Sequence, residues 1–281
     1  MTADHGARLR AAGERLAEEF KTVAGVRSVL LTGSVARGVA DRWSDVELLI
    51  LWEDAPSPEA RHGAASRAGG EVSAFHDHDP DNAEWSEDVL LDRAEVQVSH
   101  RIVAEVDTWI ADVLERADPA LVKQDLIALL RDAVVLHDTG PVAGWVARTE
   151  VYPEALALAM VGAHLDFRSS WQRRRLLARG DLLPLAEDLL DTARNVLLVL
   201  LGLNRVWFPH LGFKGMSRVA EALPLAPPAL PARLDALFTA TPASAVPAAD
   251  ALISETLILV AKNMPAANAL DELAHLGRER F

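Results

Sequence analysis

The chain has 281 residues, half of them hydrophobic and a quarter charged, and it contains no cysteine. With 28 basic against 41 acidic residues, its formal net charge is -13. The composition supplies enough apolar material for one or two folded domains. It excludes disulfides and thiolate chemistry, and it disfavours a nucleic-acid groove, which needs surplus lysine and arginine. The acidic balance instead favours cationic partners.

Helical and strand patterns alternate along the first hundred residues. Apolar residues at helical spacing, from Leu9 to Phe20, predict an amphipathic helix that ends before Gly25. Aliphatic and β-branched runs predict strands at 26–31 and 46–52, joined by a loop. The other elements predicted here are a surface helix within 54–70 and strands at 71–75, 89–91 and 95–99.

Beyond residue 102 the pattern is mostly helical. Helices are predicted at 102–116 and 119–131, and from Tyr152 onward alanine and leucine dominate without any alternating strand pattern. We therefore predict an α+β N-terminal domain over residues 1–150 and an all-α helical-bundle domain over residues 151–281. The apolar runs fall short of the roughly 20 residues that span a bilayer, and the N-terminal segment lacks the apolar core of a signal peptide. These observations predict a cytoplasmic protein without a membrane partner.

Two acidic residues interrupt the apolar stretch LLTGSVARGVADRWSDVELLI, residues 30–50. Residues two apart on a strand point to the same side, so Asp45 and Glu47 are expected side by side while Val46 and Leu48 face the core. Such a pair alone is more often the wet face of an edge strand. However, two close carboxylates are also the hard oxygen ligands that Mg²⁺ prefers when it holds phosphates.

Two further elements favour the metal-site interpretation. Gly33 and Ser34 form a tight turn, where the backbone can approach a ligand and amides at a helix start can bind phosphate. Arg37 lies nearby, either as a phosphate contact or as a surface residue paired with Asp41 or Asp45. Glu95, on the polar face of another predicted strand, supplies a third carboxylate as metal ligand or general base.

Gly-Ser, ten residues and then Asp-x-Glu on a strand resembles the signature of the polymerase-β-like nucleotidyltransferase superfamily, and of the antibiotic (aminoglycoside) nucleotidyltransferases in particular. RAEVQVSH resembles the strand with their third carboxylate, and residues 192–215 are similar to a helical stretch of streptomycin and spectinomycin adenylyltransferases. The resemblance implies a small mixed sheet flanked by helices. The implied catalytic and metal-binding residues are Asp45, Glu47 and Glu95, and the implied nucleotide-binding residues are Gly33, Ser34, Arg37, Arg194 and Lys214.

The activity implied by this resemblance is Mg²⁺-dependent transfer of a nucleoside monophosphate, AMP from ATP or from another nucleoside triphosphate, to a hydroxyl of a small cationic, aminoglycoside-like acceptor. Some relatives place the acceptor pocket at a dimer interface, so a homodimer is one expectation. Alternatives are a protein-directed or antitoxin-type adenylyltransferase and an inactive nucleotide-binding module of the same fold. The acidic residues considered for acceptor ammonium groups are Asp166, Glu187, Asp188 and Asp191.

Four other features admit structural interpretations. Gln97 stands where some relatives carry an acidic residue, so a register shifted by two residues would leave the site only two carboxylates. FHDHDPDN, residues 75–82, is interpreted as a turn-rich loop rather than a metal site. Arg173 to Arg175 point three ways around a helix and predict a solvated face, and His100 is interpreted as a hydrogen-bonded structural histidine.

Overall fold

In the computed structural model, which describes residues 2–278 with side chains from residue 5 onward, six strands form one sheet. They are β1 (Val26–Thr32), β2 (Val46–Trp52), β3 (Glu71–Asp79), β4 (Glu84–Leu91), β5 (Ala94–Ile102) and β6 (Val134–Asp138). Their order is β3-β4-β5-β2-β1-β6, and only β2 and β5 run parallel. The two strands with the predicted carboxylates are therefore neighbours.

The helices that precede residue 151 are α1 (Thr2–Phe20), α2 (Gly33–Ala36), α3 (Pro58–Arg67), α4 (Val103–Arg116), α5 (Leu121–Asp132) and α6 (Pro141–Arg148). Helix α1 packs on β1, β2 and β5, and its apolar residues Leu9, Leu16 and Phe20 are buried. Val46 and Leu48 belong to the same core cluster. Helix α1 thus covers one face of β2. At the start of the strand, side chains that point to the opposite face are not covered by α1.

The predicted strand limits are confirmed for β2, and they are too short for β3 and β4. FHDHDPDN is not a loop throughout, because its first five residues belong to β3 and the remainder forms the turn into β4. The Asp79 carboxylate accepts hydrogen bonds from the Asp81 backbone amide at 2.9 Å and from the Asn82 side chain at 2.7 Å. Polar residues on both faces of this edge hairpin hide the two-residue period that reveals a strand.

The chain divides into two compact units, residues 1–112 with 125–151 and residues 113–124 with 152–281. The helices that follow residue 151 are α7 (Glu154–His164), α8 (Ser170–Arg179), α9 (Leu182–Asn204), α10 (Met216–Glu221), α11 (Leu230–Thr239), α12 (Pro242–Asn263) and α13 (Ala269–Leu276). Helices α7 and α12 pack against α9, whose second half is almost entirely buried. The predicted α+β architecture, a mixed sheet with helices followed by a helical region, is confirmed.

Helix α12 is long and apolar enough to cross a membrane by length and composition alone. Its residues Leu252, Ile253 and Leu257 are fully buried within the helical unit. This burial is the pattern of a core helix in a helical bundle.

The predicted solvated arginine face is wrong for Arg173, because its side chain is completely buried. Its Nε donates to Asp188 Oδ2 at 2.7 Å, Nη1 donates to Asp250, and Nη2 donates to the Arg168 carbonyl at 2.8 Å. Arg174 and Arg175 are exposed, as expected. One member of the triplet therefore joins α8 to α9 and α12 through a buried charge network.

The substitution Arg173→Ala is expected to lower the free energy of unfolding by about 3–5 kcal/mol, because it removes the buried cation shared by Asp188 and Asp250 and leaves Asp188 only the exposed Arg168 at 3.3 Å. Urea denaturation measures this loss. The neighbouring variant Arg174→Ala is the matched control, and the loss of an exposed arginine with its surface contacts should cost no more than about 1 kcal/mol. Equal losses in the two variants would contradict the structural role of Arg173.

His100 is a buried structural histidine, as predicted from the sequence. Its Nδ1 accepts a hydrogen bond from Trp52 Nε1 at 2.9 Å, and its Nε2 donates to Glu87 Oε1 at 2.7 Å. Burial lowers the pKa of His100, against the opposing effect of the Glu87 carboxylate, and the Arg61 guanidinium adds to the lowering. The imidazole is therefore neutral in the folded protein at neutral pH.

This burial gives the stability of the protein a defined pH dependence. The unfolded chain protonates His100 near its ordinary pKa of about 6.5, whereas the folded protein resists protonation. Stability from this residue is thus complete above about pH 6.5 and falls in more acidic solution, by up to about 1.4 kcal/mol per pH unit. His100→Gln should flatten that part of the curve of unfolding free energy against pH, and parallel curves for the two proteins would contradict the assignment.

Candidate active site

Asp45 and Glu47 lie on one face at the start of β2. Asp45 directly precedes the strand and Glu47 is its second residue, and both are half-buried. Val46 and Leu48, which alternate with them, are buried in the core cluster. The carboxylates therefore project from the sheet face opposite that core, as the two-residue period predicts.

Gly33 lies directly against the Glu47 carboxylate. A Cβ atom built on Gly33 would stand 2.5 Å from both Cδ and Oε2 of Glu47, so only a hydrogen fits there. The residue also has a positive φ of +67°, which glycine adopts without strain. Pairing of β1 with β2 sets Thr32 opposite Glu47 and so delivers the Gly33-Ser34 turn to this point. The Gly33-Ser34 turn and the start of β2 therefore lie together, although a loop separates them in the sequence.

The β2–β5 register fixes where the third carboxylate lies. Val46 pairs with Val96 and Glu47 pairs with Gln97, so Asp45 and Glu95 both stand one residue before the first pair. Glu95 and Gln97 are exposed on the same sheet face as Glu47. Within residues 2–278, no group of three or more acidic or histidine side chains is gathered closely enough to hold a metal ion. Glu95 thus lies on the same sheet face as Glu47 and at the same strand position as Asp45. Its role as third ligand stays a prediction.

The donor set at this face fits a divalent cation in its chemistry. Asp45 and Glu47 offer hard carboxylate oxygens from positions two apart, and Glu95 offers another from the neighbouring strand. Oxygen ligands with positions left for water and phosphate suit Mg²⁺. The residues that would hold the ion are Asp45 and Glu47, with Glu95 as the additional donor.

The cross-strand register adds one carboxylate that sequence reasoning missed. Asp88 on β4 pairs with Gln97, which itself pairs with Glu47, so the three form a row across the sheet. Asp88 follows Glu87, which is fully buried on the other face. Two adjacent acidic residues give no hint of which one faces the site, so the sequence carried no usable signal.

Arg37 follows α2 and is exposed. Its Nη1 lies 3.9 Å from Asp132 Oδ2 rather than near Asp41 or Asp45, the partners considered from sequence. Asp41 instead shapes the loop, since its carboxylate accepts a hydrogen bond from the Trp43 backbone amide at 2.8 Å. Exposed ion pairs this long contribute little energy, and the role of Arg37 as a phosphate contact stays a prediction.

Two protein families match successive parts of the chain. Residues 14–123 match the nucleotidyltransferase domain, and they contain the Gly33 turn and all three predicted carboxylates. Residues 120–214 match DUF4037, which is described as a domain of unknown function. No curated protein is significantly similar in sequence to the chain.

Solved structures with partial likeness include a nucleotidyltransferase-like protein from Exiguobacterium sibiricum 255-15, with a TM-score of 0.43 and 12% identity over 88% of this chain and 75% of that one. Another is a cytoplasmic RNA terminal U-transferase, with a TM-score of 0.29 and 16% identity over 57% of this chain and 48% of that one. Similarities this loose indicate nothing about the chemistry of this chain.

Arg194 and Lys214 lie outside the segment that matches the nucleotidyltransferase model, in the helical unit. Arg194 is an exposed residue of α9, and its guanidinium carbon lies 5.3 Å from the ring centroid of Phe213. Lys214 directly follows Phe213 and is exposed too. The Phe213 ring therefore orients Arg194 through a cation–π contact, and Lys214 is the next residue along the chain.

Among the acidic residues considered for acceptor binding, Asp188 is excluded. It is 97% buried, at 3% exposure, and its carboxylate is held by Arg173 and approached by Arg168 at 3.3 Å. Asp166, Glu187 and Asp191 are exposed. These three keep their candidacy, and Asp188 has a structural role.

Proposed function

We propose that the protein is a cytoplasmic, Mg²⁺-dependent nucleotidyltransferase that transfers AMP from ATP to a hydroxyl of a small cationic acceptor of the aminoglycoside type. The observation that carries the proposal is the close approach of the Glu47 carboxylate to Gly33, within the segment that matches the nucleotidyltransferase model. It joins an acidic strand and a backbone turn at one point, which is what a site for a metal-bound triphosphate requires.

Nucleotidyl transfer has simple physical requirements. A hydroxyl attacks the α-phosphorus in line with departing pyrophosphate, so the protein must chiefly position the groups and offset charge. Magnesium held by Asp45 and Glu47 would supply the charge that stabilises the phosphate oxygens. Glu95, exposed one strand away, would accept the proton of the acceptor hydroxyl or complete the ligand set.

The triphosphate needs cationic and backbone donors in addition to the metal. Gly33 and Ser34 provide a turn whose backbone is open to close approach, and Arg37 is an exposed guanidinium after the same short helix. Arg194 and Lys214, the other predicted nucleotide-binding residues, are both exposed in the helical unit and so are available to phosphate. Arginine and lysine at such positions bind phosphate oxygens directly.

The acceptor is proposed to be cationic on grounds of charge. A net charge of -13 repels polyanions and attracts ammonium groups, which argues for a polyamine-like sugar and against RNA or DNA. Asp166, Glu187 and Asp191 are exposed carboxylates of the helical unit and are available for such groups. Other members of the fold modify proteins or do not catalyse, and those alternatives give different products in the experiment below.

The test is incubation of the purified protein with Mg²⁺, each of the four nucleoside triphosphates and a panel of aminoglycosides and related amino sugars. Pyrophosphate release and product mass are followed together. The proposal predicts pyrophosphate release with ATP and an acceptor that gains the mass of one AMP unit. Adducts found only on protein would instead support the protein-directed alternative. Tight MgATP binding without pyrophosphate from any donor would establish the inactive module and overturn the proposal.

A further inference from the structure

A chain of buried polar contacts crosses the core side of the sheet, opposite the carboxylates. Trp52 on β2 donates to His100 on β5, and His100 donates to Glu87 on β4. The other Glu87 oxygen lies 3.5 Å from Arg61 Nε, and the Arg61 guanidinium donates twice to the His76 carbonyl on β3. We call these four residues, Trp52, His100, Glu87 and Arg61, the polar clamp. It connects four consecutive strands of the sheet.

The polar clamp carries a desolvation penalty, because it buries charged groups in the core. Glu87 and Arg61 are each only 1% exposed, and neither Glu87 Oε2 nor Arg61 Nε has a hydrogen-bond partner. Replacing a buried ion pair by apolar side chains of similar volume is often neutral or stabilising. Stability therefore does not account for these residues, and buried polar groups can instead specify one arrangement among several.

The arrangement at stake is the register of β2 against β5. A shift by one residue would turn every side chain to the other face, and the hydrophobic pattern forbids it. A shift by two residues keeps Val46, Leu48 and Ile50 facing Val96 and Val98, so apolar packing does not exclude it. The Trp52–His100 hydrogen bond opposes it, because Trp52 pairs with Ile102 and the bond therefore spans an offset of two residues. A two-residue shift would change that offset to four residues or to none, and neither keeps the observed geometry.

We infer that the polar clamp positions the metal-binding carboxylates by fixing the β2–β5 register, with Trp52 and His100 as its central pair. This register sets Asp45 level with Glu95 and Glu47 beside Gln97. The inference rests on the proposed function in so far as those carboxylates bind the cation. Trp52 and His100 touch no substrate and act through the two strands.

The test compares Trp52→Phe, which keeps an aromatic ring but removes the indole N–H, with the core variant Val29→Ala. Val29 is fully buried in the same cluster as Trp52 and its side chain takes no part in the hydrogen bonds of the polar clamp, so its variant reports a loss of packing alone. Both are studied well below their unfolding temperatures. One readout is hydrogen–deuterium exchange of the β2 and β5 amides, and the other is Mn²⁺ affinity measured by electron paramagnetic resonance.

Trp52→Phe is expected to raise the exchange rates of the β2–β5 amides and to weaken Mn²⁺ binding by about tenfold or more, as loss of supporting contacts around a metal site does. Val29→Ala should leave both readouts as in the wild type. Unchanged exchange and affinity in Trp52→Phe, or equal changes in both variants, would overturn the inference. Neither readout needs turnover, so a wild type that binds Mn²⁺ but transfers no nucleotide would refute the proposed function alone.

Discussion

The variant Asp45→Asn is expected to lose at least about a hundredfold in the turnover number for nucleotide transfer while it remains folded. Asparagine keeps the shape of the side chain and removes the negative charge, so the cation loses a ligand on which transition-state charge stabilisation depends. Asp45 precedes β2 and packs in no core cluster, so the unfolding free energy should change little. Turnover is measured at saturating MgATP, and stability by urea denaturation.

The matched control is Asp54→Asn, at the opposite end of β2. Asp54 is exposed and lies two residues beyond the last residue of the strand. This variant removes the same charge from the same acidic protein, so it corrects for any effect of net charge on acceptor binding. Equal turnover for Asp45→Asn and the wild type would remove Asp45 from the catalytic site.

Gly33→Ala is the second substitution expected to abolish most of the activity. The added methyl group would occupy the space of the Glu47 carboxylate, and the flexible glutamate side chain is the partner that can move. The carboxylate is therefore displaced from the site, and the loss of turnover should match that of Glu47→Gln. The residue also holds φ at +67°, so the alanine costs about 1–2 kcal/mol of stability.

Gly38→Ala separates these two effects. Gly38 has a φ of +68° and no atom within 4 Å of an added Cβ, so its alanine variant carries the backbone cost without the contact. Both alanine variants should lose similar stability, and only Gly33→Ala should lose turnover. The double variant Gly33→Ala/Glu47→Gln should be no slower than Glu47→Gln alone, because both changes remove one carboxylate. Additive losses would show that Gly33 acts through something other than Glu47.

Sequence reasoning was most accurate where one periodicity dominates. The limits of β2 and the outward direction of Asp45 and Glu47 follow from alternation against Val46 and Leu48, and the structure confirms them. The long helices beyond residue 152 were equally plain from composition. The hairpin of β3 and β4 was underestimated, since its mixed polar faces do not alternate.

What the sequence did not reveal depends on contacts between distant residues. A charged residue is normally exposed, so nothing marked Arg173 as buried until Asp188 and Asp250 were placed around it. The level of Glu95 relative to Asp45 is a property of the β2–β5 pairing and of no single segment. The contact of Gly33 with Glu47 likewise requires β1 and β2 to be paired.

The most direct test of the central claim is to follow the label from ATP that carries radioactive phosphorus at either the α or the γ position, with a modified acceptor as product. Nucleotidyl transfer by the site at Asp45 and Glu47 predicts that the acceptor takes up the α label and that the γ label leaves as pyrophosphate. With the Asp45→Asn variant, the acceptor should take up neither label. An acceptor that takes up the γ label would show phosphoryl transfer instead and would contradict the account.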